Sequence, residues 1–184
     1  MRLRLPHAPY VANKIAIDLL QSGMVHFTSG VEPVVRAARE VLEAELKKEA
    51  ALDERVKEIM EENEDEIEFN MADSKQLFWL IKKRLAPEYG VILNYEEKYN
   101  DFAHKILHKL YEEDLINYTV PDNRIKNIIF DAIEDYIKSY DEIEDIVLEK
   151  ISHYKKKLIP GTEEFELVYQ RMFEDELKKR GMLL

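Results

Sequence analysis

Two histidines, His104 and His108, stand four apart in "AHKILHKLYEED", with Glu112 one further turn on. Histidines at that spacing share one side of a helix and could grip a metal ion. Residues eight apart lie about 12 Å apart along a helix axis, too far for His104 and Glu112 to hold one ion at bonds of about 2 Å. Only the histidine pair could bind. The zinc-protease pattern needs a glutamate after the first histidine as general base, whereas Lys105 stands there and its charge opposes a cation. Phe102, Ile106, Leu107, Leu110 and Tyr111 span the other side of the same helix, so the histidines read as its solvated face. His104 and His108 are weak metal candidates, and neither a metal nor a cofactor is expected.

Other catalytic chemistry finds little support. There is no cysteine, which removes disulfides, thiolate zinc sites and cysteine nucleophiles together and fits a reducing compartment. No G-x-S-x-G surrounds any serine, and the five scattered glycines leave no loop to cradle a phosphate. With 38 acidic residues, carboxylate pairs arise everywhere by coincidence and spacing cannot single one out. The chain therefore leans away from an enzyme. An enzymatic or small-molecule site would have to assemble from residues distant in sequence, such as His26, His104 or His153 beside carboxylates.

Contact chemistry is better represented. "FWLIKKRLAPEYG" joins the single tryptophan, Trp79, to Lys82, Lys83 and Arg84, a combination that suits a surface contact. Leu77, Leu80, Ile81 and Leu85 supply the same stretch with a core stripe, and basic residues in a last turn suit the helix dipole. Tyr136 and Tyr140, four apart on a strongly apolar helix, could line an interface or the core. "EENEDEIE" (61–68) reads as a charged, mobile connector, with docking of a basic partner as its alternative.

The net charge of −11 repels phosphate backbones unless a basic face is segregated, and here bases are interleaved with acids. Nucleic acid is a poor default partner. No apolar run reaches the roughly 18 residues of a membrane span, and Pro6, Pro9, Lys14 and Asp18 interrupt the start before a signal-peptide core could form. A cytoplasmic protein is expected.

Positioning falls to helices. Val34, Ala37, Ala38, Val41, Leu42 and Leu46 recur at three and four, as do Ile125, Ile128, Ile129, Ile133 and Ile137. Ser29 with Glu32, Asp73 with Gln76, and Thr162 mark helix starts, and Gly181 marks an end. Helices are placed at about 8–22, 30–48, 52–62, 73–86, 95–114, 122–139, 141–157 and 162–180. Only the short apolar runs "MVHF" and "LINY" fall outside them, so the class is all-α.

Those runs expose a repeat. "ANKIAIDLLQSGMVHFT" (12–28) aligns without gaps to "AHKILHKLYEEDLINYT" (103–119) at an offset of 91, with Ala12/Ala103, Lys14/Lys105, Ile15/Ile106, Leu19/Leu110 and Thr28/Thr119 identical. The same offset pairs Glu43/Glu134, Val56/Val147 and Glu58/Glu149, and sets "GVIL" (90–93) on "GMLL" (181–184). Two tandem related helical units of about four helices each, 1–91 and 92–184, are expected.

The second unit's "EEDLINYTVPDNRIKNIIF", its "LIPGTEEFELVY" turn and its closing "ELKKRG" resemble a bacterial family catalogued as domain of unknown function number 507. Its long members resemble this chain from "LPHAPYVANKIAIDLL" through "EENEDEIEF" and "FWLIKKRLA" to the end. The first unit departs from the single-unit pattern, having "IEFNMADS" where "LIPGTEEF" would be. The resemblance implies no activity, ligand or catalytic residue.

The leading expectation is a non-catalytic helical protein-binding or adaptor protein, or a subunit of a complex, with a homo-oligomer also compatible. Trp79, Lys82, Lys83, Arg84, Tyr136 and Tyr140 are its candidate contact residues. A small-molecule-binding protein or enzyme is the alternative, and a nucleic-acid-associated factor the third reading.

Overall fold

No glycine interrupts the chain between Gly30 and Gly90, and apolar positions recur at helical spacing throughout that stretch, so long helices follow. The computed structural model describes residues 1–184. After a 3-10 turn at Leu5–His7 come α1 (Ala8–Gln21), α2 (Val31–Glu62), α3 (Glu64–Phe69) and α4 (Ser74–Leu85). A second 3-10 turn at Ala86–Tyr89 leads to α5 (Tyr95–Glu112), α6 (Asp122–Ser152) and α7 (Glu163–Lys179). The class is all-α. Its only strands, β1 (His26–Phe27) and β2 (Ile116–Asn117), pair antiparallel with His26 opposite Asn117 and Phe27 opposite Ile116.

Seven helices replace the eight expected, because 30–48 joins 52–62 in α2, 122–139 joins most of 141–157 in α6, and the short α3 is added. The apparent breaks lie at Glu49 and Tyr140, polar residues standing in apolar stripes. Neither breaks a helix, and each finds partners inside the fold. The expected mobile connector at 61–68 is also corrected: it forms the end of α2 and most of the short α3.

Of the expected caps, Asp73 accepts from the backbone N–H groups of Lys75 and Gln76, and Thr162 from that of Phe165. Ser29 makes no cap; Gly30 occupies that position of α2 with φ 85°. Gly181 closes α7 at φ 67°, with the Met182 N–H bonded to Leu177 O at 2.9 Å. Gly90, 91 positions earlier, has φ 66° and the same bond from Val91 N–H to Ala86 O at 3.0 Å.

Helices α1 and α5 each pack against both α2 and α6, while α4 lies on α2 and α7 on α6. Alanines at 8, 12 and 16 let α1 approach both neighbours closely, and Ala103 does the same on α5. Val34, Leu42, Ile106, Leu110, Ile129 and Ile133 meet in one core drawn from both halves of the chain. A smaller core forms where Leu52, Val56 and Ala86 meet Phe78, Ile81 and Leu85. This places Phe78, Ile81, Lys82 and Leu85 on the side of α4 that faces α2. The expected stripe through Leu80 is therefore corrected, since Leu80 is 66% exposed.

Candidate functional site

Three features could do chemistry, and each sits where an outer helix meets the bundle. The first is a buried ionic cluster between α2, α4 and α5. Glu49 accepts two bonds from Lys98 Nζ, at 3.0 and 3.1 Å, while Arg2 lies 3.1 Å and Lys82 3.5 Å from the same carboxylate. Arg2 also donates to Asp53 at 2.8 Å, and Lys82 Nζ lies 2.7 Å from Asp53 Oδ1, a charge contact off the hydrogen-bond axis. Burial raises the Asp53 pKa, but the close contacts with the Lys82 and Arg2 cations outweigh it and hold the carboxyl below the ordinary aspartate value. Close pairing of this kind lets charges stay buried, and it leaves none of them free to act on a substrate.

The second feature is an aromatic pocket of about 370 Å³ between the first 3-10 turn, α1, α6 and α7, walled by His7, Tyr10, Tyr140, Tyr169 and Phe173. Phe173 is the hub, its ring centroid 5.6 Å from Tyr10, 5.5 Å from Tyr140 and 6.0 Å from Tyr169. Tyr140 and Tyr169 both donate to Glu144 Oε1 at 3.3 Å, and Tyr10 donates to Glu174 Oε1 at 3.0 Å. Burial and the Glu174 bond push the Tyr10 phenol up to about 12; burial likewise raises Tyr140 and Tyr169. His7 Nδ1 accepts from the Arg4 N–H at 2.9 Å, and burial with the Arg4 charge lowers the ring to about 4, so it stays neutral at pH 7.

The third feature is the outer face of α4. Trp79 is 58% exposed and, with Leu80, lines a groove of about 640 Å³ shared with Lys75, Gln76, Lys83, Leu93 and Asn94. The Lys82 ammonium lies 5.3 Å from the indole centroid, so the tryptophan is held by a cation beneath it.

The residues singled out by sequence are divided among these features. Trp79, Lys83 and Arg84 are exposed, whereas Lys82 is turned inward to Glu49 and Asp53 and leaves the surface patch. Tyr136 is buried without a hydrogen-bond partner for its hydroxyl, and Tyr140 is partly buried beside His7. They belong to a core edge and a pocket, not to an open face. His104 and His108 are exposed on α5, and no group of three or more metal-ligating side chains comes together anywhere. His26 and His153 are exposed as well, and the histidine that walls a pocket is His7. Sequence reasoning passed over His7, Tyr10, Tyr169 and Phe173 because the first 3-10 turn and α1 are brought to α7 only by their common packing on α6. Their one sequence signal was the spacing Phe165, Tyr169, Phe173 along a single face.

No helix is long and apolar enough to cross a membrane. A search of curated proteins finds no match. The model of the family described as "Protein of unknown function (DUF507)" matches residues 1–182, and the chain belongs to that family.

Proposed function

We propose that the protein is a non-catalytic, cytoplasmic helical binding protein that docks an acidic, amphipathic segment of another protein on the outer face of α4. The exposure of Trp79 and Leu80 side by side in a groove carries this reading, because a large aromatic and a leucine on a free helix face are an unusual cost in water. Lys75 and Lys83 line the groove, and Arg84 is exposed next in sequence on a chain whose net charge is −11. An apolar anchor ringed by cations selects a partner that carries apolar residues among acids.

The bundle behind this face supports a further part of the reading, namely that units 1–91 and 92–184 are copies of one module. Their elements follow the same order, helix, strand, long helix and outer helix, with α3 as the first unit's addition. The paired residues His26 and Asn117 are 91 apart, as are Gly90 and Gly181, and Gly23 and Asp114, and all four residues of the last two pairs are in the left-handed region. On the copied helix α7, positions 91 beyond Lys75, Trp79, Leu80 and Lys83 hold Glu166, Gln170, Arg171 and Glu174. The apolar, basic face is thus peculiar to α4.

A photo-crosslinking amino acid at position 80 tests the proposal, with position 171 as control. The expected product is a protein crosslinked through an acidic segment, whose synthetic peptide binds the wild type and weakens about tenfold or more in Lys75→Glu/Lys83→Glu. A crosslink to nucleic acid, equal yields at 80 and 171, or a peptide indifferent to the charge reversal would overturn it.

A further inference from the structure

Positions 91 apart relate the ionic cluster to the aromatic pocket. Glu49 corresponds to Tyr140, Asp53 to Glu144, Lys82 to Phe173, Lys98 to His7 and Arg2 to Leu93. In the ionic cluster, therefore, the chain supplies its own two ammonium groups and a guanidinium to the acids Glu49 and Asp53. In the aromatic pocket the acid of the Asp53 position persists as Glu144, but the positions of Lys82 and Lys98 have become a phenylalanine and a histidine held neutral, and Leu93, at the position of Arg2, lies away from the pocket in the α4 groove.

The consequence is a set of carboxylates with no cation. Glu142, Glu164 and Glu176 on the same two helices are paired with Arg180, Lys156 and Lys150. Glu144, Glu166 and Glu174 have no ion pair; Glu144 and Glu174 accept only from the phenols of Tyr10, Tyr140 and Tyr169 and from Gln170. A phenol that donates to a carboxylate is a more electron-rich ring, and such rings attract a cation to their faces. Glu166 stands on the pocket's lining, and the positive charge that acts on both His7 and Tyr140 is that of Arg4.

We propose that this pocket binds an organic cation, an ammonium or guanidinium group, seated against Tyr10, Tyr140 and Tyr169, with Glu144 and Glu166 as countercharge. The ligand takes the place that Lys82 and Lys98 occupy in the ionic cluster. An anion is disfavoured by the three carboxylates, and a neutral apolar group would leave them unbalanced. The cation's source is either a free small molecule or a lysine or arginine side chain of a peptide.

The probes are choline and methylguanidinium, their neutral counterpart 3,3-dimethylbutanol, and capped tripeptides centred on trimethyllysine or arginine. Each is titrated into the full chain and followed by two-dimensional amide NMR. Expected is saturable binding of at least one cation, with shifts centred on residues 140, 169 and 173 and no comparable effect of the neutral alcohol. Glu166→Gln, an exposed change that disturbs no packing, weakens it severalfold; Tyr169→Leu weakens it about tenfold. Arg4→Ala strengthens it, since a competing charge is removed. Preference for the free cations assigns a small molecule, and preference for the peptides assigns a protein side chain. Equal binding of the neutral alcohol, no saturable binding of any cation, or shifts elsewhere in the chain would overturn the proposal. Neither outcome bears on the α4 face, which shares no residue with this pocket.

Discussion

Lys98 Nζ bonds both carboxylate oxygens of Glu49, at 3.0 and 3.1 Å, tying the first turn of α5 to the middle of α2 across the two halves of the chain. The same carboxylate meets Arg2 and Lys82, so one acid serves cations from the N-terminal segment, α4 and α5. All three side chains of the Glu49–Lys82–Lys98 set are buried.

That convergence makes the acid worth more than any one of its partners. Glu49→Ala strands Lys98 in a buried site and leaves Lys82 to Asp53 alone, with an expected loss of about 3–5 kcal/mol in urea unfolding. Lys98→Met keeps the methylene stem and leaves Glu49 with two cations, so its loss should be clearly smaller. Equal losses in the two variants would show that the charges act as separate pairs.

Because one core draws on both units, neither should stand alone. Chains 1–91 and 92–184 expressed separately would each expose the apolar stripes of α1 and α2, or of α5 and α6, that the other covers. Each is expected to give a collapsed amide NMR spectrum, whereas the whole chain unfolds in one cooperative transition. A well-dispersed spectrum from either half would contradict this.

His7 sets a pH dependence of known sign. Its ring lies 5.0 Å from Tyr140 and 6.1 Å from Tyr136, and burial with the Arg4 charge lowers its pKa to about 4. The unfolded chain, with an ordinary value of about 6.5, then binds a proton more readily than the folded one. The contribution of a neutral His7 is fully present above about pH 6.5 and is lost as pH falls towards 4, on a slope softened by the ring's partial exposure. His7→Gln should lose less stability than the wild type between about pH 7 and pH 5. Parallel losses would mean that the ring titrates normally in the folded state.

The sequence by itself determined the all-α class, the caps at Asp73 and Thr162, the closing turn at Gly181 and the absence of a membrane-spanning helix. Each of these depends on residues within a turn or two of one another, where apolar spacing, a capping oxygen or a glycine's freedom leaves little choice. Only the tertiary structure decided which face of α4 turns inward. Rotation of that helix by about one residue buries Lys82 and exposes Leu80, a choice made by Glu49 and Asp53 on α2, 29 to 33 positions away. It also decided that Tyr140 borders a pocket with His7 and Phe173 while Tyr136 is buried in the core, because the meeting of α1, α6 and α7 depends on packing between segments more than 100 residues apart. Local pattern fixes where a helix runs, and only the neighbours it finds decide which of its polar residues are paired inside and which are left for something else to bind.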